Sequence, residues 1–254
     1  MTLGLPLSTI FAFMLVLARV AGLVAFLPLP GFKAAPNMIR VVFAMAITFA
    51  LFPVWPALPN ELPTFGQLTA MAFSELGFGL AAGLAVAFLT EGFQVAAQVL
   101  GVQAGYGFAS TVDPSSQADS GVLQVMMTLV TGLLFFTTGV DRDLIRVLAV
   151  SFENFPAGSW SPTAASLDGV LRLGAGVFST GVRIAMPVIA LLLLIDVALA
   201  LIGRMQQQLH LLSLSFPVKM LAAVGMLAVL APVIARVFAA AAERTMAVLA
   251  QMVR

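Results

Sequence analysis

Two runs in this chain, Val41 to Leu58 and Ser120 to Val140, contain no charged residue. A bilayer core of about 30 Å takes roughly 20 residues of helix at about 1.5 Å per residue, so runs of this kind read as membrane-crossing helices. Four more apolar segments are each interrupted by charge: Thr9 to Leu27 by Arg19, Leu68 to Thr90 by Glu75, Leu173 to Leu201 by Arg183 and Asp196, and Met220 to Ala240 by Arg236. The pattern predicts an all-α integral membrane protein of about six apolar helices in one bundle, with no separate soluble domain. Glu91 to Ala109, richer in Gly and Gln, reads as a helix that does not face lipid.

Composition agrees. Hydrophobic residues fill 61% of the 254 positions and charged ones 9%, where about a quarter of an ordinary globular chain is charged. Mean hydropathy is +1.08. Lipid or a large apolar partner must cover much of the surface. A net charge of +1 offers no basic face for nucleic acid. Cysteine is absent and His210 is the single histidine, which excludes disulfides, thiolate sites and a histidine-rich zinc centre. No metal or cofactor is expected. Met1 to Ile10 carries no Lys or Arg, unlike the basic start of a cleavable signal peptide, so the first segment is expected to stay as a helix.

Breakers separate the segments. Pro28, Pro30, Gly31 and Pro36 punctuate the first connection, and Pro53, Pro56, Pro59 and Pro63 make the second extended. Asp113-Pro114-Ser115-Ser116 is a turn signal. Asp141-Arg142-Asp143 through Arg146, then Glu153 to Asp168, is expected to form one polar connection. Pro187 and Pro232 fall inside helical patterns and should kink them. With alternating topology, Lys33, Arg40, Arg204 and Lys219 lie on one side and Arg142, Arg146, Arg172, Arg244 and Arg254 on the other, a balance that assigns no orientation.

Three constellations stand out. Arg19, Glu75, Arg183 and Asp196 lie within apolar segments, where each charge facing lipid costs roughly 2.5 to 3.5 kcal/mol. They should face protein, a wet lumen or one another; Arg19 and Arg236 have the further option of snorkelling from helix ends. Glu91, Gln94, Gln98, Gly101 and Gly105 are spaced 3, 4, 3 and 4 apart on one helical face. With the small-xxx-small pair Gly79 and Gly83 they predict a tight helix–helix seam, internal or between subunits. Third, Gly105 to Pro114 places Tyr106, Phe108 and Val112 among glycines and a turn, with Met126 and Met127 just beyond. It is either a loop whose apolar tips could occlude an opening or an ordinary interhelical turn. Gln206 to His210 and Ser213 to Lys219 read as a polar break between the last two helices, with His210 a turn residue or a pH sensor. Gly77-x-Gly79 and Gly105-x-Gly107 lack the context of a phosphate loop, and no nucleophile–base set can be assembled, so no enzymatic activity is expected.

Taken in order, several stretches resemble the R-type subunits of the type III export gate, the FliR/SctT family. They are Arg19-Val20-Ala21-Gly22 with Pro28, Gly31, Pro36 and Pro53; Glu75-Leu76-Gly77 through Gly83; Gly101-Val102-Gln103-Ala104-Gly105-Tyr106-Gly107-Phe108-Ala109 with Asp113-Pro114; Ser151-Phe152-Glu153-Asn154-Phe155-Pro156; and Gln208-Leu209 through Ser213 with Phe216-Pro217-Val218-Lys219. The chain departs from the family pattern at Gln206-Gln207, Val140-Asp141 and Ser215. The resemblance implies a heteromeric helical assembly with P-type and Q-type subunits in the bacterial inner membrane, at the flagellar basal body. It implies a P-type-like part over residues 1–172 and a Q-type-like hairpin over 173–254. Unfolded flagellar subunits would pass through the shared conduit, and the loop from Tyr106 to Ser120 would be a re-entrant plug, with Tyr106 and Phe108 as its gasket. The turn around His210, Phe216, Pro217 and Lys219 would meet the B-type gate subunit. A small-molecule permease is the alternative from another class, favoured by kinked helices and buried charges.

Overall fold

The computed structural model describes residues 6–32, 35–56, 63–106, 121–205 and 211–253. Seven α-helices occur among them: α1 (Leu7–Ala25), α2 (Asn37–Ala50), α3 (Phe65–Ala104), α4 (Val122–Thr137), α5 (Val140–Asn154), α6 (Ala164–Met205) and α7 (Leu211–Met252). A single 3-10 turn, Phe52–Val54, follows α2. Each of the six apolar segments expected from sequence has become a helix. Four of them, α1, α3, α6 and most of α7, are long and apolar enough to cross a membrane, and α4 with α5 makes a fifth if the bent pair counts as one span.

Where the structure departs from expectation, the reasons are local. The segment Leu68–Thr90 and the part of the next segment from Glu91 to Ala104 lie in one continuous 40-residue helix, α3, because the polar residues where they meet break the hydropathy and not the backbone. The uncharged run Val41 to Leu58 stops being α-helical at Ala50, where Pro53 forces the 3-10 turn. The polar connection expected from Asp141 begins instead with a helix. In α5, Val140, Leu144, Leu148, Ser151 and Phe152 are buried, the i, i+4 and i+3 spacing of an amphipathic face, while Asp141 and Asp143 occupy the first turn where the helix dipole favours acids. Gly139 joins α4 to α5 with φ of 79°, a left-handed conformation suited to glycine, and the two helices meet at 61°. Pro187 and Pro217 lie inside α6 and α7, as does Pro232. The expected break at Ser213 to Lys219 is therefore helical, while Gln206 to His210 lie outside the described residues.

The chain divides into two compact units. The first comprises Met1–Leu89, Phe135–Gly174 and Ala242–Arg254, and the second Thr90–Leu134 and Ala175–Ala241. The long helices α3, α6 and α7 each give residues to both. The division expected at 172/173 falls within α6.

The core of the first unit is the contact of α1 with the start of α3. On α1 the buried positions Ala12, Leu15, Val16, Arg19, Val20 and Leu23 form one helical stripe. Opposite them, α3 offers Gly79 and Gly83. A methyl added at Gly79 would collide with the Arg19 carbonyl, one at Gly83 would sit 2.7 Å from the Leu23 carbonyl, and one at Gly22 would sit 2.8 Å from Leu76 O and Leu80 N. Those neighbours are backbone and cannot swing aside. In the second unit the close approach belongs to α3 and α6, where a methyl on Gly181 would come within 2.8 Å of Val95 Cγ1 and 3.0 Å of the Gly92 carbonyl.

Gly79→Ala should therefore lower the stability of the detergent-solubilised protein by about 1 to 3 kcal/mol, the usual cost of overpacking. Gly101→Ala, where a methyl meets nothing within 4 Å, should be neutral or stabilising. Thermal unfolding followed by circular dichroism separates the two; equal behaviour of the variants would refute the packing assignment.

Candidate functional site

The most buried polar cluster lies in the first unit, on the α1–α3 contact. Arg19 and Glu75 are both fully buried. The guanidinium grips the carboxylate with two N–H groups, Nε on Oε2 and Nη2 on Oε1 at 3.0 Å, the fork geometry in which arginine exceeds lysine. Its third nitrogen, Nη1, donates to Ser151 Oγ at 2.7 Å, and Ser151 in turn donates to the Leu148 carbonyl. The guanidinium carbon lies 4.1 Å from the Phe152 ring centroid and 4.9 Å from that of Phe78, a cation–π environment that is strongest where water is excluded.

Glu75 reaches further. Its Oε1 accepts the backbone N–H of Gly158 at 2.7 Å. Gly158 has φ of 78°, and a side chain there would run into Met71, so the loop after α5 can approach α3 only through a glycine. One residue before Glu75, Ser74 donates to the Trp160 carbonyl, and Trp160 packs edge-on against Phe78 at 5.5 Å. Four segments of the first unit thus converge on one ion pair: α1, α3, α5 and the loop behind α5. Arg19 and Glu75 were singled out by their place in apolar segments. Ser151, Gly158 and Trp160 were not, and the amphipathic pattern of α5 was the signal that could have found Ser151.

The second unit treats its charges differently. Lys219 Nζ on α7 contacts Asp196 on α6 at 3.0 and 3.1 Å, with the Asp196 side chain 43% exposed. Arg183, near the middle of α6, is exposed and forms no ion pair among the described residues. Of the polar stripe on α3, Gln94 donates to Thr128 Oγ1 at 2.9 Å, Glu91 is half-buried, and Gln98 is exposed. Within the chain the five residues of the stripe do not share one neighbouring helix: Gln94 meets α4 and Gly105 meets α7. Gly101 has open space above it, and Gly105 ends the helix.

Gly105 has φ of 86°, and the Tyr106 N–H bonds back to the Gly101 carbonyl at 2.9 Å, the six-to-one closure of a glycine-capped helix end. A side chain on Gly105 would meet the Phe216 ring. The Tyr106 hydroxyl donates to the Met220 carbonyl at 3.3 Å, and burial holds its phenol above the usual value. The structure thus joins Tyr106, expected to begin a plug, to Phe216, expected to face a partner. Met127 is buried in α4, Met126 is half-buried and Pro217 is exposed. Phe108, Val112 and His210 lie outside the described residues. Among the described residues no group of three or more Asp, Glu or His side chains could hold a metal.

An ion pair sealed in this way offers no group to a substrate. Removing one partner strands a charge in an apolar core, whereas removing both leaves only a packing defect. Glu75→Met should cost about 3 to 5 kcal/mol, and the double variant Arg19→Met with Glu75→Met should recover most of it. Unfolding titrations of the three proteins in mild detergent provide the measurement; a double variant as unstable as the sum of the singles would show the two charges to be independent.

Comparison with known proteins gives consistent results. A family model described as bacterial export proteins, family 1, matches residues 10–245. The flagellar biosynthetic protein FliR of Escherichia coli (strain K12) is 31% identical over 220 residues, covering 86% of this chain and 84% of that protein. FliR of Aquifex aeolicus (strain VF5) is 28% identical over 201 residues, covering 79% and 78%. The surface presentation of antigens protein SpaR of Salmonella typhimurium is 25% identical over 209 residues, covering 80% and 76%.

Proposed function

The chain belongs to the bacterial export proteins, family 1, and from that premise we propose that it is a core subunit of the type III export gate that serves flagellum assembly. It is a multi-pass protein of the bacterial inner membrane. Its role is structural: with P-type and Q-type subunits it forms the wall of a conduit for unfolded flagellar subunits, and it carries out no chemistry of its own.

One observation supports the assembly reading above the others. Helices α6 and α7 are 42 residues each, about twice the roughly 20 that a bilayer core accommodates. Only 22% of the most apolar window of each is buried by the chain itself, against 44% for α1 and α3. Leu193, Leu194, Val197 and Leu201 on α6, with Leu221 and Val229 on α7, are all more than half exposed. Lipid can cover one membrane-length of such surface; the remainder requires protein. Arg183 adds a charge demand to this area demand, since an exposed guanidinium in a spanning helix is costly in lipid.

The permease reading loses its main attraction in this fold. A transporter needs buried charges that open onto a substrate path, and Arg19 and Glu75 instead close on each other. The segment from Tyr106 to Ser120 is assigned the plug role on the resemblance alone, with the partner contact at Phe216, Pro217 and Lys219 adjoining it through Gly105 and Met220.

Co-expression with P-type and Q-type subunits, mild solubilisation and native mass measurement should yield a heteromeric complex. Arg183→Met should lower the co-purifying fraction by about tenfold or more, as expected when one side of a desolvated charge contact is removed. A monomer or homodimer that transports a solute would overturn the proposal. Within the assembled gate, deletion of residues 106–120 should let ions or small solutes leak across the membrane in flux assays. An intact permeability barrier would refute the plug.

A further inference from the structure

Where α3 meets α4, within the second unit, the two helices carry matching rows of polar side chains. On α3 these are Glu91, Gln94 and Gln98, spaced three and four apart; on α4 they are Gln124, Thr128 and Thr131, spaced four and three apart. One hydrogen bond sets the rows against each other, from Gln94 Nε2 to Thr128 Oγ1 at 2.9 Å. Because α3 runs towards Gly105 and α4 runs back, four residues on from that contact bring Gln98 level with Gln124. Three residues the other way bring Glu91 level with Thr131. At about 1.5 Å per residue the ladder is about 10 Å long.

Exposure grows towards the Gly105 end. Thr131 is buried, Glu91, Gln94, Thr128 and Gln124 are half-buried, and Gln98 is exposed. Beyond Gln98, a methyl on Gly101 would meet nothing within 4 Å. At the deep end the hydroxyls are used locally: Thr131 donates to the Met127 and Thr128 carbonyls, and Thr128 to the Gln124 carbonyl. At the open end the side-chain amides of Gln98 and Gln124 make no hydrogen bond among the described residues. The rows thus border a polar cleft, closed at Thr131 and open at Gln98 and Gln124.

Lipid is a poor neighbour for that mouth, since an amide in hydrocarbon forfeits its donors and its acceptor. On α4 a different side suits apolar surroundings: Val125, Leu129 and Leu133 are 48%, 59% and 65% exposed, and Val125 and Leu129 lie about 100° round the helix from Gln124 and Thr128. The mouth offers donors and acceptors without charge. That chemistry matches the one feature shared by every polypeptide, the backbone amide, which also presents an N–H and a C=O whatever the sequence. A charged mouth would hold chains of opposite sign, and an apolar one would hold hydrophobic segments.

We propose, on the export-gate reading, that the Gln98–Gln124 mouth faces the conduit and contacts the backbone of an extended polypeptide in transit. A ladder of this length spans about three residues of such a chain, at roughly 3.3 Å each.

The test uses the assembled gate in cells, with a secretion substrate stalled by a fused domain too stable to unfold. On irradiation, p-benzoylphenylalanine placed at Gln98 or Gln124 should form adducts with the stalled substrate, and at Leu129 it should form none. Gln98→Leu combined with Gln124→Leu should lower the secretion rate about fivefold or more, as two hydrogen-bonding groups are lost, while co-purification with P-type and Q-type subunits stays unchanged. Adducts from Gln98 and Gln124 to a neighbouring subunit in place of the substrate, or loss of co-purification in the double variant, would show a seam between subunits and overturn the proposal. Secretion that requires this chain, with substrate adducts elsewhere in the gate and none at these two positions, would also overturn it and leave the export reading standing. Secretion unaffected by loss of the chain would sink both.

Discussion

A guanidinium cannot be left bare in an apolar interior, and in the first unit that constraint organises everything near it. Arg19 sits fully buried in the middle of the apolar stripe of α1. It is tolerable there because Glu75 answers its charge, Ser151 takes its remaining donor nitrogen, and Phe78 and Phe152 supply ring faces. These partners come from two other helices, Glu75 and Phe78 from α3 and Ser151 and Phe152 from α5, so one arginine dictates that α1, α3 and α5 come together. The glycines make the distance possible: with a side chain at Gly22 or Gly79, α1 and α3 could not close to the point where Arg19 reaches Glu75. Buried pairs are weak sources of net stability, since desolvation offsets most of the attraction. Their effect here is on specificity, because any other register of α1 on α3 strands both charges.

The second unit follows the opposite logic. Its charges are at the surface, Asp196 met by Lys219 and Arg183 by no ion pair among the described residues, and its apolar side chains face outward along α6 and α7. A chain destined to be complete alone would have turned that surface inward, because exposed apolar area of this extent is unfavourable in water and exceeds what one bilayer covers. The two units therefore divide the work. The first closes its buried ion pair within itself, and the second leaves Arg183 exposed on α6. The charges within apolar segments do not all make the case for partners: Arg19, Glu75 and Asp196 are answered by ion pairs within the chain, whereas Arg183 and Arg236 are exposed with no ion pair among the described residues.

Much of this was legible in the residues. Six apolar runs became six helices because uninterrupted hydrophobicity over membrane length has few other outcomes. Charges within those runs marked Arg19 and Glu75, both fully buried, alongside Arg183, which is exposed, and Asp196, which is half-buried, and spacing alone could not pair residues 56 positions apart. What stayed hidden was hidden for physical reasons. In α5, charge at Asp141, Arg142, Asp143 and Arg146 masks an amphipathic face that only periodicity discloses. On α3 the close approaches within the chain are at Gly79, Gly83 and Gly92, while Gly101 faces open space and Gly105 ends the helix; a glycine that permits approach and one that ends a helix look identical in sequence. Gly158 carries no signal of its own; it matters through what folds against it.

The claim at the centre is that protein, rather than lipid alone, covers the outward face of α6 around Arg183. The chain lacks cysteine, so a single cysteine can report on it. Met186, 55% exposed and three residues from Arg183 on the same face, is the place. The rate of maleimide labelling of Met186→Cys, compared between the isolated chain and the co-purified gate in the same detergent, is the most direct measurement. Rapid labelling of the isolated chain and strong protection in the gate is the predicted result; equal labelling in both would show that this face has no protein cover and contradict the account.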